Sequence, residues 1–213
     1  MESFYIGIDI GTTATKAVCF DINGKVIRQF SHSYPMYHPK PDWSVQKPDE
    51  ILDAVLACIA EITKGIKPEF ISFSSAMQSI IAVNKDGTPI TDVLLWADNR
   101  SNVCAEKLKH SKEGKDFYQK TGIPIHPFSP MTKIAWFKEF DTEVFLKTYK
   151  FISIKEYVWQ KLTGEYAIDS SMASGTGLMN IHNLKWELDI LDYLNIQENQ
   201  LSTIYSPTHQ RKG

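Results

Sequence analysis

The chain opens with an apolar, β-rich run, Phe4-Tyr5-Ile6-Gly7-Ile8. A polar tip follows from Asp9 to Thr13, and then a second β-rich run from Thr15 to Phe20. Consecutive aromatic and β-branched residues predict a first strand buried on both faces. Asn23-Gly24 comes next, and both residues tolerate the positive φ of a tight hairpin turn. A third strand, Lys25 to Phe30, is therefore expected to pair with the second, with the turn setting the register. After a loop from Ser33 to Lys47 rich in Pro, Tyr and His, Pro48 suits a first helical turn. Ile51, Leu52, Val55, Leu56, Ile59 and Ile62 then recur at helical spacing, and Gly65 is expected to close the helix. Phe70 to Ser74, Ile80 to Val83 and Val93 to Trp96 read as strands, with a turn at Asp86-Gly87.

The second half is more helical. Ser101 is expected to cap a helix carrying Val103, Ala105 and Leu108, and Ser129-Pro130 to open another with Ile134, Trp136 and Phe137. Ser153 and Glu156 form a capping-box pattern, and Gly164 closes that helix. Tyr166 to Ile168 reads as a short strand, and Ser170 to Gly177 as a loop of small residues. The tail from Thr208 to Gly213 is polar and expected to fray. A three-strand meander, a helix and a further strand point to an α/β fold with a mixed sheet.

Composition narrows the classes. The 213 residues are 43% hydrophobic with a net charge of −2, so the core is substantial and no basic field argues for nucleic acid or an anionic membrane. No apolar run approaches the length of a membrane span, and no signal-peptide pattern opens the chain. Cys19, Cys58 and Cys104 are odd in number and widely spaced, which suits small hydrophobes in a reducing, cytoplasmic compartment. The six histidines show no metal-ligand spacing, and there is no G-x-S-x-G elbow.

The chemistry concentrates at the polar tip. A carboxylate at the end of a buried strand needs a partner, and a hydrated magnesium ion that fills its other positions with phosphate oxygens is a good one. Gly11 removes a Cβ from the approach of a ligand. Thr12 and Thr13 offer backbone N–H groups and hydroxyls. Lys16 adds a positive charge, although strand alternation could turn it away. The spacing is not that of a Walker A loop. An ordinary hairpin tip, with Asp9 bonded to a backbone amide, is the competing reading.

Five blocks in order resemble the FGGY carbohydrate kinases, a family of the actin-like ATPase superfamily. They are GIDIGTTATKA from Gly7, FSSAMQS from Phe73, LLWADNRS from Leu94, the stretch Phe128 to Glu139, and IKEYVWQKLTGEYAIDSSMASGTGLMN from Ile154. Phe140 departs from the polar residue that the fourth block's signature expects. Within the family, SSAMQS, WADNRS and TGIPIHP (Thr121 to Pro127) are most similar to the gluconate kinases, while Met77-Gln78 stands where a glycerol kinase has Arg-Glu.

The resemblance implies a ribonuclease H-like, actin-like ATPase domain with a mixed five-stranded sheet flanked by helices, spanning residues 1–213 as the substrate-binding domain. It implies ATP and Mg2+ as cofactors and a small sugar acid or polyol as substrate, and it allows a homodimer. Asp9 would bind the metal and the transferring phosphate, with Gly11, Thr12, Thr13 and Lys16 beside the ATP phosphates. Met77, Gln78, Trp96, Asp98, Arg100 and Phe128 would line the sugar site. A sugar acid's carboxylate could take a bidentate fork from Arg100, and Asp98 could accept sugar hydroxyls. The alternatives are a surface Asp98–Arg100 ion pair of little worth, packing roles for Trp96 and Trp136, and a helix-capping role for Asp169.

Phosphoryl transfer also needs a base to take the hydroxyl proton. In this family an aspartate in a Gly-x-x-Asp-Gly-like segment serves, and nothing from Leu184 to Gly213 resembles it. The chain is therefore expected to be a piece of a longer kinase, inactive by itself, with its catalytic base and ATP-gripping domain beyond residue 213. The expected activity of the whole is transfer of the ATP γ-phosphoryl to gluconate. A kinase of another polyol or a ketose, or a non-catalytic sugar-binding module, are the alternatives.

Overall fold

The computed structural model describes residues 3–211. They form two compact units, one of residues 3–37 and 46–76, the other of residues 38–45 and 77–211.

The first unit is a four-stranded mixed sheet covered on one face by a helix. Its strands are β1 (Phe4–Ile10), β2 (Ala14–Asp21), β3 (Val26–Ser33) and, after the short β4 (Val45–Gln46) and helix α1 (Pro48–Ile62), β5 (Phe70–Ser75). The order is β3-β2-β1-β5, antiparallel through the meander and parallel between β1 and β5. The family resemblance implies a five-stranded sheet; this one has four, because β6 (Ile81–Val83) and β7 (Val93–Leu94) lie in other pairings and do not extend it.

The first strand is buried on one face, not two. Ile6, Ile8 and Ile10 are buried together with Thr15, Ala17 and Cys19 opposite them, and Ile51, Ala54, Val55, Cys58 and Ile62 of α1 form the rest of this core. Each large apolar side chain withdrawn here contributes about 1.5–3 kcal/mol. The predicted helical face is rotated slightly, since Ala54 and Cys58 are inside while Leu56 is exposed. Helix α1 ends at Ile62 with Thr63 as its cap, and Gly65 takes its positive φ two residues later.

The Asn23-Gly24 turn is wider than a two-residue hairpin. Gly24 alone of the pair has positive φ. The Asp21 carboxylate accepts from the amides of Asn23 and Lys25, both at 2.9 Å. An Asx-type turn has therefore replaced the tight one, and the register shifts between Cys19 and Phe20.

The second unit packs helices α2 (Asn102–Lys109), α3 (Lys112–Thr121), α4 (Pro130–Phe140), α5 (Thr142–Lys147), α6 (Ile154–Thr163), α7 (Ser170–Ser174) and α8 (Leu188–Leu194) around small two-stranded pairings. β6 runs antiparallel to β8 (Lys150–Ile152). β9 (Ala167–Asp169) runs parallel to β12 (Thr203–Tyr205), and β10 (Met179–Asn180) antiparallel to β11 (Lys185–Trp186). Met131, Ile134, Phe137, Phe151, Leu178, Ile190 and Leu194 are among the side chains of its core. The Ser153–Glu156 capping box forms as expected, and Gly164 closes α6 in the left-handed conformation. Asp169 caps α7 by accepting from the Met172 amide and also pairs with Lys155 at 2.7 Å.

Three expectations change here. Ser101 does not cap α2; its hydroxyl points inward to the Pro127 carbonyl at 3.1 Å. The small-residue segment expected to be a loop opens as the short helix α7. The tail is tied down as far as Arg211, because His209 stacks on Tyr205 and Arg211 pairs with Glu165; Lys212 and Gly213 lie outside the described residues. No helix among the described residues is long and apolar enough to cross a membrane.

Candidate functional site

In the first unit the polar tip is held from behind. Three successive carbonyls accept hydrogen bonds from the unit's own donors. Tyr34 Oη donates to Gly11 O at 2.7 Å, Gln46 Nε2 to Thr12 O at 2.8 Å, and the Tyr34 amide to Thr13 O at 3.2 Å. A planar trans peptide directs its N–H opposite to its C=O, so this anchoring turns the amide edges of the loop outward. Gly11 donates its own amide to Ala14 O at 3.0 Å, closing the turn. A Cβ at Gly11 would meet Ala14 O at 3.1 Å and the Asp9 carboxylate at 3.8 Å, so the turn itself favours glycine here, a reason separate from the approach of a ligand expected of it.

Asp9 stands on the exposed face of β1, so the argument from a buried charge does not apply to it. Its placement rests on register instead. Asp9 is directly opposite Lys16 on β2 and Ser74 on β5, and facing residues share a face of the sheet. Alternation thus brings Lys16 to the face of Asp9 and does not turn it away. Ser74 Oγ donates to Asp9 Oδ1 at 2.6 Å, which orients the carboxylate. Among the described residues no group of three or more His, Cys, Asp or Glu side chains could hold a metal ion by itself. A divalent cation at this tip would rely on the single carboxylate of Asp9 together with oxygens of its ligand, as magnesium commonly does.

In the second unit, Met77, Trp96 and Phe128 are exposed or half-buried, and Trp96 is 51% exposed. That exposure argues against a plain packing role for Trp96. Gln78 has φ 66°, a left-handed backbone that costs a non-glycine residue about 1–2 kcal/mol. Gly175 lies against Met77, whose Cε would sit 2.6 Å from a Cβ there.

Asp98 and Arg100 differ from both expectations. They are not on the surface, since Asp98 is fully buried and the Arg100 side chain is 5% exposed. Nor is the fork open, because Arg100 Nε and Nη2 reach Asp98 Oδ1 and Oδ2 at 2.8 and 2.9 Å. Asp98 also accepts from the amides of Ser44 and Arg100. The guanidinium stacks over Trp43, 3.4 Å from the ring centroid, and Trp43 meets Trp136 edge to face. The pair braces the turn that carries Trp96, with no carboxylate oxygen left over for a sugar hydroxyl.

Residues that sequence reasoning passed over complete the picture. Tyr34 and Gln46 lie in a loop whose Pro-, Tyr- and His-rich composition signals no site, and Ser74 lies in a stretch that signals only a strand. Lys133 lies within the Phe128 to Glu139 stretch, where its spacing alone suggests no role. It is fully buried, and its Nζ donates to Phe128 O at 2.6 Å and Gln78 O at 3.3 Å. Burial pulls its ammonium down to about 7, against the opposing pull of Asp98 and with a further push from Arg100. The unfolded chain keeps the ordinary value of 10.5. Between those values the unfolded chain binds a proton that the folded chain does not, so Lys133 makes stability rise with pH across that window. Below pH 7 the folded chain carries the whole cost. Lys133→Met should remove this slope, up to about 1.4 kcal/mol per pH unit. Urea midpoints at pH 7 and 9.5 would show wild type gaining on the variant; parallel behaviour would contradict the downward pull of burial on Lys133.

The mixed sheet with its flanking helices is that of an actin-like ATPase domain of the sugar-kinase class. Residues 4–212 match the N-terminal domain model of the FGGY family of carbohydrate kinases, and the chain belongs to that family. It is 45% identical to the gluconokinase of Bacillus subtilis (strain 168) over 212 residues, covering 98% of this chain and 41% of that protein. The xylulose kinase of Staphylococcus xylosus is 29% identical across 99% of this chain and 44% of its own length. In structure, the chain matches gluconate kinase from Lactobacillus acidophilus with a TM-score of 0.95 at 40% identity, covering 98% of this chain and 43% of that one. It matches ligand-bound xylulose kinase from the same organism at 0.94, also at 40% identity, over 97% and 43%. The chain spans about two-fifths of the length of the curated relatives it matches.

Proposed function

We propose that the chain is the substrate-binding N-terminal domain of an ATP-dependent gluconate kinase, which transfers the γ-phosphoryl group to a hydroxyl of D-gluconate. The observation that carries the substrate is the 45% identity to a gluconokinase along 98% of the chain, against 29% for a xylulose kinase. The outward amide edges at Thr12 to Ala14, the exposed carboxylate of Asp9 and the cross-strand Lys16 fit a metal-bound phosphate. Bound at such a tip, ATP with Mg2+ supplies the transferable phosphoryl group. Asp9, oriented by Ser74, holds negative charge toward the metal position. Thr12 and Thr13 present donors to phosphate oxygens, and Lys16 adds positive charge.

Met77, Gln78, Trp96 and Phe128 would receive the sugar acid, with the buried Asp98–Arg100 pair fixing the Trp96 turn from beneath. Positioning of this kind supplies much of a kinase's rate. The general base and the domain that closes over the nucleotide are assigned to residues outside this chain, so the 213 residues alone should bind gluconate without turning it over. The 40% identity to a xylulose kinase structure supports a second reading, a ketose kinase.

A coupled ADP-release assay of the complete protein against D-gluconate, D-xylulose and glycerol separates these. D-gluconate should give a kcat/KM at least 100-fold above the other two. A preference for D-xylulose would replace the substrate, and gluconate binding without phosphorylation would leave a sugar-binding module.

A further inference from the structure

We propose that Lys133 is a positioning residue, a buried clamp that holds the Gln78 and Phe128 segments in the geometry that receives the sugar acid. This rests on the reading of Met77, Gln78, Trp96 and Phe128 as the sugar site. Lys133 lies in the first turns of α4, and its Nζ joins two backbone carbonyls 55 and 5 residues away in sequence, Gln78 O and Phe128 O. Neither segment has a sheet ladder to hold it. Gln78 sits in the left-handed region, a conformation that persists when its surroundings over-determine it. The residue after it is tied as well, since Ser79 Oγ accepts from the amide of Ile154 at the start of α6, at 3.1 Å. Lys133 holds the carbonyl of the strained residue itself, in the peptide that joins it to Ser79.

The chemistry suits a clamp better than a proton carrier. Lys133 is fully buried, and both of its acceptors are neutral carbonyls that cannot take a proton. The charged group has three N–H donors and the neutral amine two, so either form satisfies both bonds. Asp98 and Arg100 are the charged groups that act on it, and they are closed on each other. Both carbonyls are only partly buried, and without Lys133 each loses a donor that water replaces incompletely, which loosens a residue already held in a left-handed conformation.

The test is Lys133→Met and the milder Lys133→Gln, read by amide hydrogen exchange and by D-gluconate titration followed through tryptophan fluorescence. In each folded variant, peptides covering 76–80 and 126–130 should exchange at least 10-fold faster. Peptides from α3 and α8 should stay at wild-type rates, and the Kd for D-gluconate should weaken at least 10-fold. Wild-type exchange at both segments would overturn the clamp. Faster exchange across the whole unit would also overturn it, since that would mark a general packing role. Loosened segments with unchanged gluconate affinity would remove the positioning role. If wild type binds no D-gluconate, the sugar-site reading and the positioning role fall together, and the exchange rates still decide whether the clamp exists.

Discussion

Asp9→Ala should lower the phosphoryl-transfer turnover of the complete protein by about 10²–10³-fold, the usual cost of removing one preorganised electrostatic group. Its stability and gluconate affinity should stay near wild type. The separation follows from the geometry. Asp9 lies on the exposed face of β1, and its one described side-chain bond is from Ser74 Oγ at 2.6 Å. Removing it costs little packing. The apolar core of the unit lies on the other face of the sheet, among Ile6, Ile8, Ile10 and α1. Turnover, sugar KM and thermal midpoint measured on one preparation would check this. Turnover within threefold of wild type would remove Asp9 from the phosphate site. A large fall in the thermal midpoint would mean that the carboxylate is structural.

Arg100→Met should destabilise the protein by about 3–5 kcal/mol, because it strips a buried carboxylate of its cation. Asp98 is fully buried, and the guanidinium supplies two of its side-chain bonds. The Ser44 and Arg100 amides would remain as donors, but they carry no net charge to offset the carboxylate. The substitution also removes the stack on Trp43. Arg100→Lys should fall between the two, since an ammonium keeps the charge but has neither the fork nor the flat stacking surface. Equilibrium denaturation gives the numbers directly. A loss below about 1 kcal/mol would restore the weak surface-pair reading. The pair's burial also bears on specificity, because an Arg100 fork already closed on Asp98 is not available to a substrate carboxylate.

What local sequence settled is local. The meander, the Pro48 helix start, the Ser153–Glu156 capping box, the Gly164 closure and the Asp169 cap depend on neighbours a few residues apart, and the side chains that make them are visible in any short window. The polar tip and its glycine were legible for the same reason, and ordered motif blocks were enough to suggest the family. Tertiary structure decided the rest. Whether Asp9 and Lys16 share a face depends on pairing register. Whether Asp98 and Arg100 lie at the surface depends on Ser44, Trp43 and Trp136, far away along the chain. Tyr34 and Gln46 act on the tip through hydrogen bonds spanning 23 and 34 residues, and Lys133 reaches 55 residues to Gln78. Short-range patterns encode backbone preference and capping. The burial of a charge and the partner of a buried amine are set by which distant segments pack together, and no local window contains them.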